Sequence, residues 1–191
     1  SGGALGAEVK GIDMRAPLKA DEVAAIKQGW NDHLVLVLRG QFDKTLEHHL
    51  AFSRHFGELA LSPPSPETGK RSEYKNVPPE VAVVSNIEKE GKPIGALGNA
   101  DVKWHTDSSF METVAKYSLL SARVVPETGG DTEFTDMRAA WDALPDDLRT
   151  MVTGLVGEHH PLYSRILLGN TYSEEQMAGI PPAQWPLVRT H

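Results

Sequence analysis

Residues 104–110 have the sequence WHTDSSF, which places a histidine and an aspartate one residue apart. Side chains two residues apart in an extended chain point to the same face. If residues 103–107 are extended, His105 and Asp107 therefore project together, as two adjacent ligands for a divalent metal. The alternative is a polar patch on an ordinary strand, because an isolated H-x-D spacing also arises by chance.

One further histidine would complete a recognised metal site. Two histidines and one carboxylate form the facial triad that is typical of non-haem Fe(II) oxygenases, in which three neighbouring coordination positions stay open. The chain has eight histidines. Four fall on predicted helices, where solvated or capping roles are expected: His33, His48, His49 and His55.

Composition places the chain among ordinary globular proteins. It has 191 residues, of which 40% are hydrophobic and 24% charged, which predicts one domain with a sizeable core. The net charge of −7 argues against a nucleic-acid partner, because phosphate binding needs a concentrated basic face. The densest basic cluster is interpreted as a solvated loop and comprises Lys70, Arg71 and Lys75.

The chain has no cysteine, which excludes disulfides, zinc–thiolate sites, iron–sulfur clusters and thiol nucleophiles. Its longest strongly apolar run, residues 34–38, is too short to cross a bilayer, and no signal peptide opens the sequence. We therefore expect a cytoplasmic protein without a membrane partner.

The first third of the chain alternates strand and helix signals. Residues 5–12 predict a short strand, and residues 20–33 predict an amphipathic helix. The apolar run at 34–38 predicts a strand buried on both faces. Thr45 is the expected N-cap of a second helix that ends at Gly57.

Short strands dominate the middle of the chain. Residues 62–79 hold five of the thirteen prolines and predict a long surface loop, which we interpret as a lid. Strands are expected at 81–86, 117–125 and 131–134, the last two joined by a turn, and helices at 137–144 and after Pro145. The pattern favours an α+β fold with a strand-rich core, and phosphate-binding glycine motifs are absent.

Several stretches in this order resemble the TauD/TfdA family of Fe(II)- and 2-oxoglutarate-dependent dioxygenases. They are NADVKWHTDSSF (99–110) and KYSLLSARVVPETGGDTEFTDMRAAWDALP (116–145), with LVLRGQ (36–41) and HHLAFSRHFGEL (48–59) upstream, and SRILLGNTYSEEQ (164–176) and PPAQWPLVRTH (181–191) downstream. The second half is most similar to the 2,4-dichlorophenoxyacetate dioxygenase branch. The resemblance runs over nearly the whole chain.

The resemblance implies a fold and a reaction. The fold is a double-stranded β-helix, or jelly roll, flanked by helices. The cofactors are Fe(II), 2-oxoglutarate and O₂, with His105 and Asp107 as two iron ligands. Thr132, in GGDTEF, matches the threonine that binds a carboxylate oxygen of 2-oxoglutarate, whereas from the residues alone it would be a β-branched strand residue. The implied reaction hydroxylates a small anion, an aryloxyalkanoate or alkylsulfonate, with ether or C–S cleavage.

The sequence departs from the family pattern at its C-terminal side. The family has a distal histidine as third iron ligand and, roughly ten residues beyond it, an arginine that pairs bidentately with 2-oxoglutarate. We expect one domain over 1–191 whose C-terminal part is missing, and a chain that is inactive by itself. His159 and His160, at the end of a predicted strand, are not expected to substitute.

Candidate substrate residues lie around the motif. They are Asn99, Asp101, Lys103, Tyr74 and His191. The branch has an asparagine where this chain has Asp101, which would repel an anion unless Lys103 pairs with it; a surface ion pair is the alternative. The parent protein could form homo-oligomers. The competing functions are a non-catalytic, cupin-like binding domain and, with less support, a metal-dependent hydrolase.

Overall fold

A computed structural model of the chain describes residues 5–62, 76–93, 96–97, 104–167 and 169–190. It divides into two compact units: unit 1 is Ser1–Leu59 with Tyr117–Arg149, and unit 2 is Ala60–Lys116 with Thr150–His191. The mixture of helices and strands confirms the expected α+β composition. The single domain over 1–191 stays a prediction.

The elements follow in chain order, with helices and strands numbered separately. They are β1 (Ala7–Val9), α1 (Ala20–His33), β2 (Leu36–Leu38), α2 (Leu46–Arg54), β3 (Val84–Ser85), β4 (Glu88–Lys89), β5 (Lys92–Pro93), β6 (Ala96–Leu97), α3 (Met137–Ala143), α4 (Asp146–Val152), β7 (Val156–His159), α5 (Tyr163–Leu167), α6 (Glu174–Ala178) and β8 (Ala183–Pro186).

Unit 1 begins with a β–α–β arrangement in which β1 and β2 pair in parallel, with Ala7 opposite Leu36 and Val9 opposite Leu38. The predicted bounds of α1 are confirmed. The expectation that β2 is buried on both faces is wrong, because Val37 is 40% exposed. Among the described residues β2 pairs only with β1, and the exposure of Val37 shows that one face of this two-stranded sheet is open to solvent.

The core of unit 1 is an aromatic and aliphatic cluster. Met14, Ile26, Phe52 and Phe56 are buried in it. The ring of Trp30 stacks on that of Tyr117 with centroids 4.4 Å apart, and meets the ring of Phe56 edge-on at 4.7 Å.

The second helix begins where its cap predicts. The Thr45 side chain accepts a hydrogen bond from the His48 backbone N–H at 3.4 Å, which satisfies one of the unpaired amides of the first turn. Leu50 is buried on its inner side, as the apolar spacing indicates, and Phe52 is buried as well. The predicted N-cap is therefore confirmed.

The two strands predicted over 117–125 and 131–134 are wrong. Both segments are described, and neither forms a strand. Leu120, Val124, Val125 and Phe134 are 78%, 75%, 69% and 55% exposed. A strand needs a partner for its backbone N–H and C=O groups, and the described residues pair none with these segments.

The predicted helices after this region are confirmed as α3 and α4. Asp136 caps α3, with its carboxylate accepting hydrogen bonds from the N–H groups of Arg138 and Ala139 at 2.8 and 3.3 Å. The apolar side of α4 is partly open, since Met151 is 63% exposed.

Unit 2 combines short paired strands with the helices α5 and α6. β3 pairs with β6 in parallel, and β4 with β5 in a tight antiparallel hairpin whose turn residues, Glu90 and Gly91, have φ of 55° and 71°. β7 and β8 form its longest ladder, four antiparallel residue pairs. The strand predicted at 81–86 is shortened to the two residues of β3.

Only the ends of the predicted lid, residues 62–79, are described; residues 63–75 lie outside the described part. The Ser62 N–H donates a hydrogen bond to the Pro79 carbonyl at 2.8 Å, so the two ends of the loop are joined. Its role as a lid stays a prediction. Across the described ranges, none of the helices has the length and apolar character that a bilayer crossing needs.

His49 is expected to make the stability of unit 1 depend on pH. Burial lowers the pKa of this half-buried imidazole from its ordinary value of 6.5, as do the charges of Lys44 and Arg123. The folded state therefore takes up a proton less readily than the unfolded state, and the free energy of unfolding falls as pH decreases below 6.5.

Replacing His49 with Gln, which stays neutral, is expected to flatten this dependence. Urea unfolding of wild type and variant at about pH 7.5 and about pH 5 measures the difference. An equal loss of stability in both proteins would contradict the assignment to His49.

Candidate metal centre

The WHTDSSF stretch is a bend followed by a turn. Trp104 to Thr106 have no regular structure, and residues 107–110 form the turn. The expectation of an extended strand over 103–107 is therefore wrong for its described part. Ser108 has φ of 58°, and the Met111 N–H donates to the Ser108 carbonyl at 2.9 Å. The left-handed conformation of Ser108 reverses the chain at this point, and residues 104–110 form no strand.

His105 and Asp107 nevertheless face each other. Nε2 of His105 lies 3.2 Å from Oδ1 of Asp107, and the two side chains are 54% and 64% exposed. As a surface ion pair, this contact would contribute less than about 1 kcal/mol to the free energy of unfolding.

The spacing of these two atoms also suits a metal. Two ligands bound at about 2.1 Å and roughly at right angles to one metal ion lie about 3 Å apart. The observed 3.2 Å fits this separation. Over the described ranges, no group of three or more His, Cys, Asp and Glu residues is placed to hold a metal ion.

A tryptophan that the sequence did not single out contacts the same turn. Nε1 of Trp185, in β8, donates a hydrogen bond to the Ser109 carbonyl oxygen at 2.8 Å. The guanidinium of Arg189 lies 4.6 Å from the centre of the indole ring. The two hydrogen-bonded residues are 76 positions apart, and no local pattern indicates such a contact.

Thr132 belongs to unit 1 and is exposed. It follows Gly129 and Gly130, whose φ values of 74° and 72° are costly for other residues. A side chain at Gly130 would also come within 3.2 Å of the Pro126 ring. The double glycine thus sets the direction in which the chain enters Thr132. Its role in binding 2-oxoglutarate stays a prediction.

Three of the other histidines, His48, His55 and His160, form hydrogen bonds with the protein itself. His48 Nδ1 accepts from the Thr45 N–H at 3.1 Å, and His55 Nε2 accepts from the Leu18 N–H at 3.4 Å. His160 Nδ1 accepts from the Leu162 N–H at 3.1 Å, with its Nε2 3.3 Å from the Met177 carbonyl. The capping role expected for helical histidines is confirmed for His48.

Five predicted substrate residues lie outside the described residues: Asn99, Asp101, Lys103, Tyr74 and His191.

The facing imidazole and carboxylate are compatible with a mononuclear metal site that has nitrogen and oxygen ligands. The chain belongs to the TauD/TfdA family, since the family described as taurine catabolism dioxygenase TauD, TfdA family matches residues 1–191. The resemblance expected from the motifs is thereby confirmed.

Two curated relatives carry the name alpha-ketoglutarate-dependent 2,4-dichlorophenoxyacetate dioxygenase. The protein of Cupriavidus pinatubonensis is 46% identical over 97% of this chain and 66% of its own length. The protein of a Burkholderia species is 41% identical over 96% and 63%. These matches confirm the expected branch.

The fold also matches a solved structure. The crystal structure of AAD-2 in complex with Mn(II) and N-oxalylglycine has a TM-score of 0.79 and is 38% identical, over 99% of this chain and 66% of that one. The chain thus spans no more than 66% of the length of these three proteins.

Proposed function

We propose that the full-length protein is an Fe(II)- and 2-oxoglutarate-dependent dioxygenase that hydroxylates a small organic anion. The observation that carries the proposal is the 3.2 Å contact between His105 Nε2 and Asp107 Oδ1, in a chain of the TauD/TfdA family. The matched AAD-2 crystal contains Mn(II) and N-oxalylglycine. N-oxalylglycine has the skeleton of 2-oxoglutarate with one CH₂ replaced by NH, which supports a 2-oxoglutarate site in this chain.

The donor set fits Fe(II). A neutral imidazole and a carboxylate are ligands that divalent iron accepts, and the chain offers no thiolate that would favour a different metal. His105 and Asp107 would hold the ion from one side. We propose that the full-length protein adds a distal histidine as third ligand, followed about ten residues later by an arginine for 2-oxoglutarate.

Bound Fe(II) would supply the redox chemistry of the reaction. In that reaction, 2-oxoglutarate is oxidatively decarboxylated to succinate and CO₂, and one oxygen atom of O₂ is inserted into a substrate C–H bond. The chain's own residues bind and orient the reactants. The Thr132 hydroxyl donates a hydrogen bond to one carboxylate of 2-oxoglutarate. In this proposal the whole protein completes the jelly roll, and residues 62–79 form a lid that excludes water.

The substrate class is an aryloxyalkanoate or an alkylsulfonate. The names of the 41% and 46% identical relatives support the first, and the family description supports the second. Hydroxylation at a carbon that bears an ether oxygen or a sulfonate gives an unstable product that releases a phenol or sulfite. Lys103, Asn99, Asp101, Tyr74 and His191 are proposed to contact the substrate.

Two measurements on the full-length protein test this function. Anaerobic addition of Fe(II) and then 2-oxoglutarate is expected to produce a weak visible charge-transfer band. In air, succinate release is screened with phenoxyacetate, both enantiomers of phenoxypropionate, and taurine. Absence of the band, together with no substrate-dependent succinate, would exclude the function and leave a non-catalytic binding domain.

Replacing Thr132 with Val is expected to raise the KM for 2-oxoglutarate about tenfold, because one hydrogen bond to a charged group is lost. The variant Thr132→Ser keeps the hydroxyl and should stay close to wild type. Thr135→Val, another exposed threonine of the same segment, is the matched control. Equal KM values for Thr132→Val and Thr135→Val would remove Thr132 from the cosubstrate site.

A further inference from the structure

The turn that carries Asp107 is tied to a distant strand by one indole ring. Trp185 Nε1 donates to the carbonyl oxygen of Ser109, two residues after Asp107, at 2.8 Å. Indole has one hydrogen-bond donor and no acceptor, so this contact uses the full hydrogen-bonding capacity of the side chain. Both residues belong to unit 2.

The orientation of the Trp185 indole is restricted by contacts of its own strand, β8, and of Arg189. Trp185 lies within the four-pair ladder of β7 and β8, directly opposite Gly157. The guanidinium of Arg189 lies over the ring, 4.6 Å from its centre, within the range of a cation–π interaction. Backbone pairing and Arg189 therefore restrict the directions in which the indole N–H can point.

The turn has little regular structure to hold it. Residues 104–116 form no helix or strand. Ser108 adopts a left-handed conformation, with φ of 58°, and a non-glycine residue keeps this conformation only where surrounding contacts stabilise it. The Trp185 hydrogen bond is such a contact, since it reaches the residue that follows Ser108.

We propose that Trp185 is a positioning residue of the candidate metal centre. By fixing the Ser109 carbonyl, it keeps the turn in the conformation that sets the Asp107 carboxylate beside the His105 imidazole. Two metal-ligand side chains that already face each other in the metal-free protein bind the ion more tightly than side chains that must first be brought together. The inference rests on the proposed function, and Trp185 acts only through the turn.

Mn(II) titration of the full-length protein, followed by the EPR signal of the free ion, tests the inference without turnover. Trp185→Phe keeps an aromatic ring and removes the donor, and it is expected to weaken Mn(II) binding about tenfold. The matched control is Trp141→Phe, in α3 of unit 1, whose ring also lies near an arginine, 5.7 Å from Arg149. The control is expected to stay within about twofold of wild type.

A second variant separates hydrogen bonding from packing. With β-(3-benzothienyl)alanine at position 185, sulfur replaces the indole N–H and the ring shape is kept. The same loss of about tenfold in Mn(II) affinity, with an unchanged thermal midpoint, is expected. This variant decides the question if Trp185→Phe does not fold.

The possible outcomes distinguish failure of the inference from failure of the proposed function on which it rests. Normal Mn(II) binding by wild type and by the benzothienyl variant would overturn the inference alone. An equal loss of affinity in Trp141→Phe would do the same, because the effect would then be general. A wild-type protein that binds no Mn(II) would overturn the proposed function and the inference together.

Discussion

Succinate formation by the full-length protein is expected to fall more than about a hundredfold when Asp107 is replaced by Asn. Asparagine has nearly the same size, so the turn and its hydrogen bonds should persist. Its neutral amide oxygen, however, is a much weaker ligand for a divalent cation than a carboxylate. Asp107 Oδ1 lies 3.2 Å from His105 Nε2, so losing its charge weakens one of the two ligands proposed to hold the iron.

The measurement is the rate of succinate release at saturating 2-oxoglutarate, with Mn(II) affinity measured in parallel. Asp142→Asn provides the matched control, since it makes the same chemical change at an exposed position of α3. It should leave both quantities unchanged. If Asp107→Asn kept activity within about tenfold of wild type, Asp107 would not be an iron ligand.

The second large effect concerns stability. Replacing Phe52 with Ala is expected to lower the free energy of unfolding by about 3–5 kcal/mol, because the change removes a buried ring and leaves a cavity. Phe52 is 3% exposed, and its ring meets that of Phe56 with centroids 5.2 Å apart. It therefore lies in the cluster that joins α2 to α1 in unit 1.

Urea unfolding monitored by tryptophan fluorescence measures this loss, since Trp30 is in contact with Phe56 and reports on the cluster. Phe42 gives the control within the same unit. Its side chain is 88% exposed, and Phe42→Ala should change stability by no more than about 0.5 kcal/mol. Equal losses in the two variants would mean that Phe52 does not belong to a packed core.

The helices were predictable where their signals are local. The bounds of α1 follow from the spacing of Val23, Ile26 and Trp30, and the start of α2 follows from Thr45. A helix satisfies most of its backbone groups within one segment, so a short stretch of sequence contains most of the information. The predicted strands over 117–125 and 131–134 failed for the opposite reason, since a strand depends on partners that its own sequence does not contain.

Some features of the candidate site were predictable from the sequence, and others were not. Its ligand types and their spacing were visible in WHTDSSF, and the family pattern around them assigned Thr132 a role. The strand geometry expected to bring His105 and Asp107 together was wrong, yet the side chains meet at a turn. Side chains two residues apart can share a side in more than one backbone conformation, so the pairing was predictable although its backbone was not.

The sequence by itself indicated the family, helices α1 to α4 and the proposed ligand pair of His105 and Asp107, because these depend on residue types and on short-range spacing. The tertiary structure alone decided that a left-handed Ser108 turns the chain after Asp107 and that Trp185 is hydrogen-bonded to the Ser109 carbonyl. The hydrogen bond joins groups 76 positions apart, which only folding brings within hydrogen-bonding distance. The direction of the Asp107 carboxylate follows from that contact in our proposal.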